Sequence, residues 1–317
     1  MNNFTLIIPT HNRHSYLKRS IEYFKNLEAK VIYCDSSLKS YNDKLHSNIE
    51  YIHLPKKNFA EKILIALEKI NTPFIALCAD DDFILLDSLY KGFGILNTNI
   101  NFATILGNNI EFLKIFDFKF YTNHVFPEYK LIGSSEQKVM KLFSNYRQFL
   151  WGIYKKKILI DTFEIIKKAN FTNDNFYEMV IGTISTYNGD VMFLNDIWSI
   201  REYSHDNHWA TRHKVLYYYK QDSEIKKDIK TFINIVNQYT KKGIAEIALE
   251  NYLNMSFRLK FVFFIKYYTY KVFPNWFISF FRSNNIKNQY LNTINYKSFP
   301  DLLVIFNILK KTNVKNS

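Results

Sequence analysis

Short apolar runs alternate with amphipathic stretches through the first part of the chain. Four of these runs have the length of strands and end in polar or turn-forming residues: residues 4–8, 31–34, 49–53 and 74–78. Several of the stretches between them carry apolar residues at helical spacing. Strands that alternate with helices of this length indicate βαβ units, so the pattern predicts an α/β fold with a mostly parallel sheet flanked by helices.

The fourth run leads directly into three consecutive carboxylates, Asp80, Asp81 and Asp82. A strand buried on both faces opens at its carboxyl end into the ligand crevice of an α/β fold. Adjacent carboxylates repel one another, and a divalent cation is one usual way to hold them together. Because side chains alternate along an extended chain, Asp80 and Asp82 are expected to face one metal ion. Alternatively, Asp81 and Asp82 only begin the helix that follows.

A second stretch with candidate chemistry has a helical pattern from about residue 173 to Gly189. It begins with Asp174 and Glu178, which are one helical turn apart. Two extended runs follow, residues 191–194 and 198–201, and the second ends at Arg201. The stretch therefore brings two acids and a basic residue to the ends of regular elements, where functional side chains are common.

The net charge of +13 is distributed unevenly. Residues 1–209 contain 24 Lys and Arg against 23 Asp and Glu, whereas residues 210–317 contain 18 against 6. Such asymmetry points to a surface-binding part. We therefore expect an α/β domain over residues 1–209 and a basic, aromatic-rich, helical C-terminal domain over residues 210–317.

Residues 257–282 mix Phe, Tyr and Trp with Lys and Arg. Lysines interrupt the apolar run, which is therefore too short to span a bilayer, and the mixture suits the headgroup layer of an anionic membrane. The alternative is packing against the rest of the chain or against a second protomer in a homodimer. Two cysteines in predicted strands and the lack of a basic leader predict a cytoplasmic protein, peripheral on the inner face of the cytoplasmic membrane.

The order and spacing of the motifs resemble the inverting family-2 glycosyltransferases of the GT-A (nucleotide-diphospho-sugar transferase) fold. The matching pieces are residues 7–13 (Ile-Ile-Pro-Thr-His-Asn-Arg), residues 31–37 and the acidic triplet. The resemblance implies a bacterial enzyme that transfers a sugar from a nucleotide-diphosphate donor, expected to be a UDP-sugar. It also implies a surface-glycan or lipid-linked hydroxyl as acceptor and Mn²⁺ or Mg²⁺ as cofactor.

The resemblance also assigns roles to individual residues. It implies donor contacts by Pro9, Thr10, Asn12, Arg13, Asp35, Asp80, Asp81 and Arg201. It implies metal contacts by Asp80, Asp82 and His205, with His208 as the substitute. Measured back from Gly189, Glu178 fits the general base, with Asp174 as the alternative, and Trp151 is a candidate for stacking on the acceptor. Plain turn, cap, core or surface roles are the alternatives for Asp35, Asp174, Trp151, Arg13 and His205.

Two other functions remain as alternatives at this point. A nucleotidyltransferase also uses acidic metal ligands, but residues 10–14 lack the glycine typical of its phosphate loop. A non-catalytic module that binds anionic lipid or nucleic acid would explain the basic end and leave the acidic motifs unexplained. Retaining glycosyltransferases share the fold and the acidic motif, so inversion rests on the proposed base.

Overall fold

The strands of the computed structural model form one mixed sheet. The model describes residues 3–113, 119–121, 126–202, 223–255 and 300–313. Its strands are β1 (Phe4–Thr10), β2 (Lys30–Asp35), β3 (Ile49–His53), β4 (Phe74–Leu77), β5 (Phe83–Ile84), β6 (Phe102–Leu113), β7 (Lys119–Tyr121), β8 (Tyr129–Leu131), β9 (Ile153–Lys155) and β10 (Asp190–Glu202). Its helices are α1 (His14–Phe24), α2 (Phe59–Glu68), α3 (Leu86–Thr98), α4 (Ser135–Ser144), α5 (Lys156–Ala169), α6 (Asn175–Asn188), α7 (Ser223–Val236), α8 (Ile244–Met255) and α9 (Pro300–Asn313).

The strand order is β3-β2-β1-β4-β9-β6-β10-β5, with β7 beside β6 and β8 beside β10. The first four strands are parallel to one another, and β10 is parallel to β6. Between these groups, β9 is antiparallel to both neighbours. The predicted α/β fold with a mostly parallel sheet and a helical C-terminal region is confirmed.

Two apolar cores lie against the sheet and explain its uninterrupted strand patterns. All seven residues of β1 are buried, as expected of a central strand covered on both faces. One core includes residues of α2, α4, α5, α6 and α7, and the other includes residues of α1, α3 and α9. The continuous apolar run of β1 is thus the sequence signature of helices on both faces of the sheet.

The carboxyl ends of three neighbouring parallel strands meet at one edge of the sheet. In β1 and β2, Thr10 lies opposite Asp35, and in β1 and β4, Ile7 lies opposite Leu77. The residues that follow Leu77 therefore leave the sheet beside the end of β1. This register gathers the loops after β1, β2 and β4 into a common crevice.

The last described helix, α9, packs against α1 through buried Leu302, Ile305 and Leu309. The Asp301 carboxylate accepts a hydrogen bond of 2.8 Å from the Leu86 backbone N–H, at the start of α3. A C-terminal segment thus contributes to the core beside the acidic turn. None of the described helices has the length and apolar character needed to cross a bilayer. The predicted boundary after residue 209 and the basic segment 257–282 lie outside the described residues.

Replacing Asp301 by Ala is expected to lower the free energy of unfolding by about 1 kcal/mol, because the first turn of α3 loses its side-chain acceptor. Asp301→Asn keeps an oxygen at the same place and is the matched control. Urea unfolding of the three proteins measures the difference. Equal unfolding free energies for the wild type and Asp301→Ala would contradict this capping role.

Candidate active site

The acidic triplet lies in a turn between β4 and β5. The Asp82 N–H donates to the Ala79 carbonyl at 3.3 Å, so the chain is not extended here. Helix α3 begins only at Leu86, with Leu85 at its N-cap position. The alternative that Asp81 and Asp82 merely begin the helix is therefore wrong, because two strand residues separate them from it.

Two arginines from distant elements bind the three carboxylates. Arg13 Nη1 donates to Asp80 Oδ1 at 2.8 Å and to Asp81 Oδ2 at 2.9 Å. Arg201 Nε donates to Asp82 Oδ2 at 3.0 Å, and Thr10 Oγ1 donates to Asp80 Oδ2 at 2.6 Å. Strand alternation does not hold at the triplet, because the turn brings Asp80 and Asp81, not Asp80 and Asp82, to the same guanidinium nitrogen.

All three carboxylates are buried, and burial governs their protonation. Loss of hydration raises the pKa of Asp80 to about 6, with a further rise from Asp81 that Arg13 and Thr10 partly offset. Loss of hydration likewise raises the pKa of Asp82 to about 7, although the Arg201 charge lowers it. Burial alone would lower the pKa of Arg13, but Asp81 and Asp80 raise it overall. Ionisation of these carboxylates is therefore unfavourable in the turn, and an additional cation beside them would make it less so.

A third arginine, Arg19, binds the backbone of the turn. Arg19 of α1 is only 3% exposed and donates from Nη2 to the Asp81 carbonyl at 2.8 Å. Its Nη1 forms an ion pair with Glu202, at the end of β10. The guanidinium lies 4.4 Å from the Tyr16 ring centroid and 5.4 Å from that of Phe83. Arg19 therefore ties α1, the acidic turn and β10 together.

Sequence patterns did not predict a role for Arg19, Glu202 or Lys62. Lys62 of α2 is also buried and donates to the Thr10 carbonyl at 2.7 Å, while loss of hydration lowers its pKa. The available signal was a basic residue on the apolar face of an amphipathic helix. Arg19 lies among the buried residues of α1, and Lys62 lies among those of α2. Such positions are rarely occupied by a charge without a partner.

Asp35 lies at the end of β2 with no exposed surface. Its Oδ1 accepts from the Ser37 N–H at 2.7 Å and from the Ser37 hydroxyl at 2.5 Å, and its Oδ2 accepts from the Tyr51 hydroxyl at 2.7 Å and contacts His14 Nε2 at 3.0 Å. Burial would raise the pKa of Asp35, but these hydrogen bonds lower it overall. Asp35 is thus more than a plain turn residue.

An open cleft of about 370 Å³ adjoins Asp35. It is lined by Asn12, His14, Ser37, Leu38 and Lys39. Asn12 has a positive φ of 54°, which asparagine tolerates well, and its N–H donates to Ser37 Oγ at 2.7 Å. The β1–α1 loop and the loop after β2 therefore meet here through their backbones, at the carboxyl edge of the sheet.

Glu178 lies in the first turn of α6 and is partly exposed. Its Oε1 accepts from the Phe149 N–H at 2.8 Å and from the Tyr146 hydroxyl at 3.3 Å, and no described residue donates to Oε2. Burial raises the pKa of Glu178, although Phe149 and the nearby Arg201 charge lower it. Arg201 also donates from Nη1 to Gln148, so the segment just before β9 links Glu178 to the acidic turn.

The other two candidates on this side have different surroundings. Asp174 occupies the N-cap position of α6, but its side chain does not cap the helix. Burial and then Asp174 raise the pKa of Tyr177 to about 12, which places the Asp174 carboxylate beside that hydroxyl. Trp151 is half-buried, in edge-to-face contact with Phe59, whose ring in turn stacks on Tyr177. His205 and His208 lie outside the described residues.

A divalent cation fits the oxygen atoms of the acidic turn. Within the described ranges no set of three His, Cys, Asp or Glu side chains is arranged to hold a metal. Mg²⁺, however, is commonly bound by one or two carboxylates together with substrate phosphates. Both oxygens of Asp80 accept hydrogen bonds, whereas Oδ1 of Asp81 and Oδ1 of Asp82 have no donor among the described residues. The oxygen atoms left without a donor at the acidic turn are therefore of the chemical kind that a hard cation such as Mg²⁺ binds.

The mixed sheet with helices on both faces and an acidic turn at its carboxyl edge match the GT-A fold, and the family of the chain gives its class as a glycosyltransferase. The chain belongs to glycosyl transferase family 2, whose family model matches residues 5–163. The nucleotidyltransferase and the non-catalytic binding module are thereby set aside. A search of curated proteins found no significant match to this chain.

Solved structures support the fold. Residues 1–349 of TarS from S. aureus in complex with UDP-GlcNAc align with a TM-score of 0.52 and 14% identity, over 80% of this chain and 72% of that chain. A longer crystal structure of S. aureus TarS gives a TM-score of 0.48 and 13% identity, over 80% of this chain and 55% of that chain. This chain thus spans about half of the longer TarS chain. At such identities the likeness establishes the fold alone.

The burial of Asp82 predicts a specific dependence of stability on pH. Because its pKa in the folded state is raised from 3.8 to about 7, its contribution to stability is fully present below about pH 4 and is lost as the pH rises through about 7. Asp82→Asn has no ionisable group at this position, so its stability does not decrease with pH for this reason. Without added metal, the unfolding free energy of Asp82→Asn relative to wild type should therefore increase by on the order of 2 kcal/mol between about pH 5 and about pH 8.

Urea unfolding at the two pH values measures this difference. Asp87→Asn removes an exposed carboxylate five positions further along the chain and is the control, with no comparable change. A relative stability of Asp82→Asn that falls as the pH rises would mean that attraction to Arg201 outweighs the cost of burying the Asp82 charge.

Proposed function

We propose that this glycosyltransferase moves a sugar from a UDP-sugar to a hydroxyl of a surface-glycan or lipid-linked acceptor, with inversion and with Mn²⁺ or Mg²⁺ as cofactor. The observation that carries the proposal is the arrangement around Arg201. This side chain binds Asp82 through Nε and Gln148 through Nη1, and its charge also acts on Glu178. A diphosphate site and a general base thus share one neighbourhood.

The donor's diphosphate is proposed to bind at the acidic turn. Arg13 and Arg201 are the two cations there with partly exposed side chains, at 25% and 23%. A guanidinium presents paired donors that match phosphate oxygens. The cleft beside Asn12, His14 and Lys39 has room for the nucleotide base, and the nearby Asp35 supports its walls through Ser37 and Tyr51. The UDP-GlcNAc bound to TarS in the aligned structure supports a uridine donor.

A divalent cation, when bound by Asp82 and Asp81, would offset negative charge on the departing diphosphate. The protein's own residues hold the acidic turn in position before the cation binds. Thr10 and Arg13 hold Asp80, and Arg19 holds the Asp81 carbonyl, so the turn needs little reorganisation when the donor binds. Arg13 and Arg201 add positive charge on the chain's side of the diphosphate.

Glu178 is proposed as the general base. Inverting transfer needs a carboxylate that accepts the proton of the acceptor hydroxyl while the hydroxyl oxygen attacks the anomeric carbon and the bond to the diphosphate breaks. The Phe149 N–H and the Tyr146 hydroxyl fix Oε1 of Glu178, and this leaves Oε2 for the acceptor. Its raised pKa makes Glu178 a better proton acceptor than an ordinary surface carboxylate. Asp174 is the alternative base.

The acceptor and location are proposed on coarser grounds. Trp151 is the candidate stacking surface for the acceptor. The basic and aromatic segment 257–282 would bring the enzyme to the inner face of the cytoplasmic membrane, where lipid-linked acceptors are found. A catalytic domain over residues 1–209, a basic, aromatic-rich, helical C-terminal domain over residues 210–317 and a homodimer belong to the same proposal.

UDP with Mn²⁺ is expected to raise the melting temperature of the wild type. The stabilisation is about 2.7 kcal/mol at a ligand concentration of roughly 100 times Kd. Asp82→Asn should lose the metal-dependent part, and Asp87→Asn should keep it. Thermal unfolding with UDP, Mn²⁺, both or neither measures the effect. A shift by UDP that needs no metal and survives in Asp82→Asn would remove the cation role, and no shift with any nucleotide would remove the donor site.

Glu178→Gln is expected to retain stabilisation by UDP and Mn²⁺ but to lower transfer by roughly 10²- to 10⁴-fold, because only proton removal is lost. Release of UDP from a UDP-sugar in the presence of glycan acceptors measures transfer. Asp174→Asn is the matched control and should stay close to wild type. An inactive Asp174→Asn together with an active Glu178→Gln would show that the base is Asp174.

A further inference from the structure

Arg147 occupies an aromatic cage between α4 and β9. Its guanidinium carbon lies 4.8 Å from the ring centroids of Phe126 and Tyr129 and 5.4 Å from that of Phe193. Burial lowers its pKa. Stacking on rings fixes the plane of the guanidinium and removes water from its faces, so the side chain is held ready in one orientation.

The hydrogen-bonding edge of Arg147 is nearly unused. Its one hydrogen bond in the described structure is a long one, 3.5 Å from Nη1 to the Pro127 carbonyl. Its Nε is buried and has no hydrogen-bond partner among the residues that the structure describes. Of the four arginines in the described ranges, the other three pair with carboxylates. The Glu128 carboxylate binds Lys130 at 2.9 Å, and no carboxylate in the described ranges forms an ion pair with Arg147.

The neighbours of Arg147 along the chain all contact the candidate active site. The Tyr146 hydroxyl and the Phe149 N–H donate to Glu178, and Gln148 accepts from Arg201. Arg147 faces the opposite side of this short segment, toward Phe193, as does the ring of Phe149. The short segment that contacts Glu178 and Arg201 on one side therefore carries the Arg147 guanidinium on its other side.

We propose that Arg147 binds an anionic group, a phosphate or a carboxylate, on a part of the acceptor that lies beyond the hydroxyl that receives the sugar. The proposal rests on the function proposed above. A guanidinium that lies over aromatic rings and is not paired with a carboxylate binds such an oxyanion through paired, charge-assisted hydrogen bonds. The donor's diphosphate does not need this residue, since Arg13 and Arg201 lie at the acidic turn.

The test compares three sugars as probes: glucose, glucose 6-phosphate and glucuronate. Their binding to the full chain is measured by thermal shift, with and without saturating UDP and Mn²⁺. UDP occupies the cations of the acidic turn and isolates the contribution of Arg147. The variants are Arg147→Gln, Arg147→Lys and Lys141→Gln, which removes one exposed positive charge six positions earlier and is the matched control.

In the presence of UDP, the wild type should bind at least one anionic sugar more tightly than glucose. Arg147→Gln should bind that sugar roughly tenfold more weakly, as expected from loss of a charge-assisted hydrogen bond. Lys141→Gln should match the wild type, and Arg147→Lys, which keeps the charge but not the paired donors, should lie between them. The phosphate and carboxylate arms identify which anion is preferred.

Equal binding of the anionic sugar by wild type and Arg147→Gln would overturn the proposal, as would a wild type that does not distinguish either anionic sugar from glucose. The same variants are then compared for UDP release with neutral and anionic glycan acceptors. Stabilisation by UDP without any anion preference removes only the Arg147 site. If UDP does not stabilise the wild type, the proposed function is contradicted. Binding of the anionic sugar at Arg147 is then still tested by the measurements without UDP.

Discussion

The burial of three adjacent carboxylates at the end of β4 is the constraint on which the rest of the site depends. Left alone, Asp80, Asp81 and Asp82 would repel one another and take up protons. Arg13 and Arg201 bind the carboxylates, and Arg19 binds the backbone between them. Because these arginines come from the start of α1, its interior and the end of β10, the contacts of the turn are complete only in the assembled sheet with α1 in place.

The same arrangement makes the turn suitable for a phosphorylated donor. Water is largely excluded from Asp80 and Asp82, so electrostatic interactions at the turn are stronger than at the surface. The positions of the charged groups are set before any ligand arrives, which is the condition for effective stabilisation of a charged leaving group. Arg201 then connects this region to Glu178 through Gln148, so the proposed donor site and the proposed base are linked by one side chain.

Sequence patterns predicted the strands, the acidic turn at the carboxyl edge, and Glu178 near the start of a helix, because each of these signals is local. The partners of these residues are not local. Asp82 and Arg201 are 119 positions apart, and Arg19 reaches the Asp81 carbonyl across 62 positions. Strand alternation also failed at Asp80 to Asp82, where a turn hydrogen bond from the Asp82 N–H replaces the extended chain. Arg19 and Lys62 are buried because of the way in which their helices pack. Helical periodicity shows these two residues only as charged exceptions on an otherwise apolar face.

The central claim is that the acidic turn is the site of the donor's diphosphate. A crystal structure of the chain with UDP and Mn²⁺, in which anomalous scattering locates the manganese, tests it most directly. The account predicts manganese within coordination distance of the Asp82 carboxylate, with the diphosphate between that ion and the guanidinium groups of Arg13 and Arg201. Manganese and nucleotide bound elsewhere, with the carboxylate–arginine pairs of the turn unchanged, would contradict it.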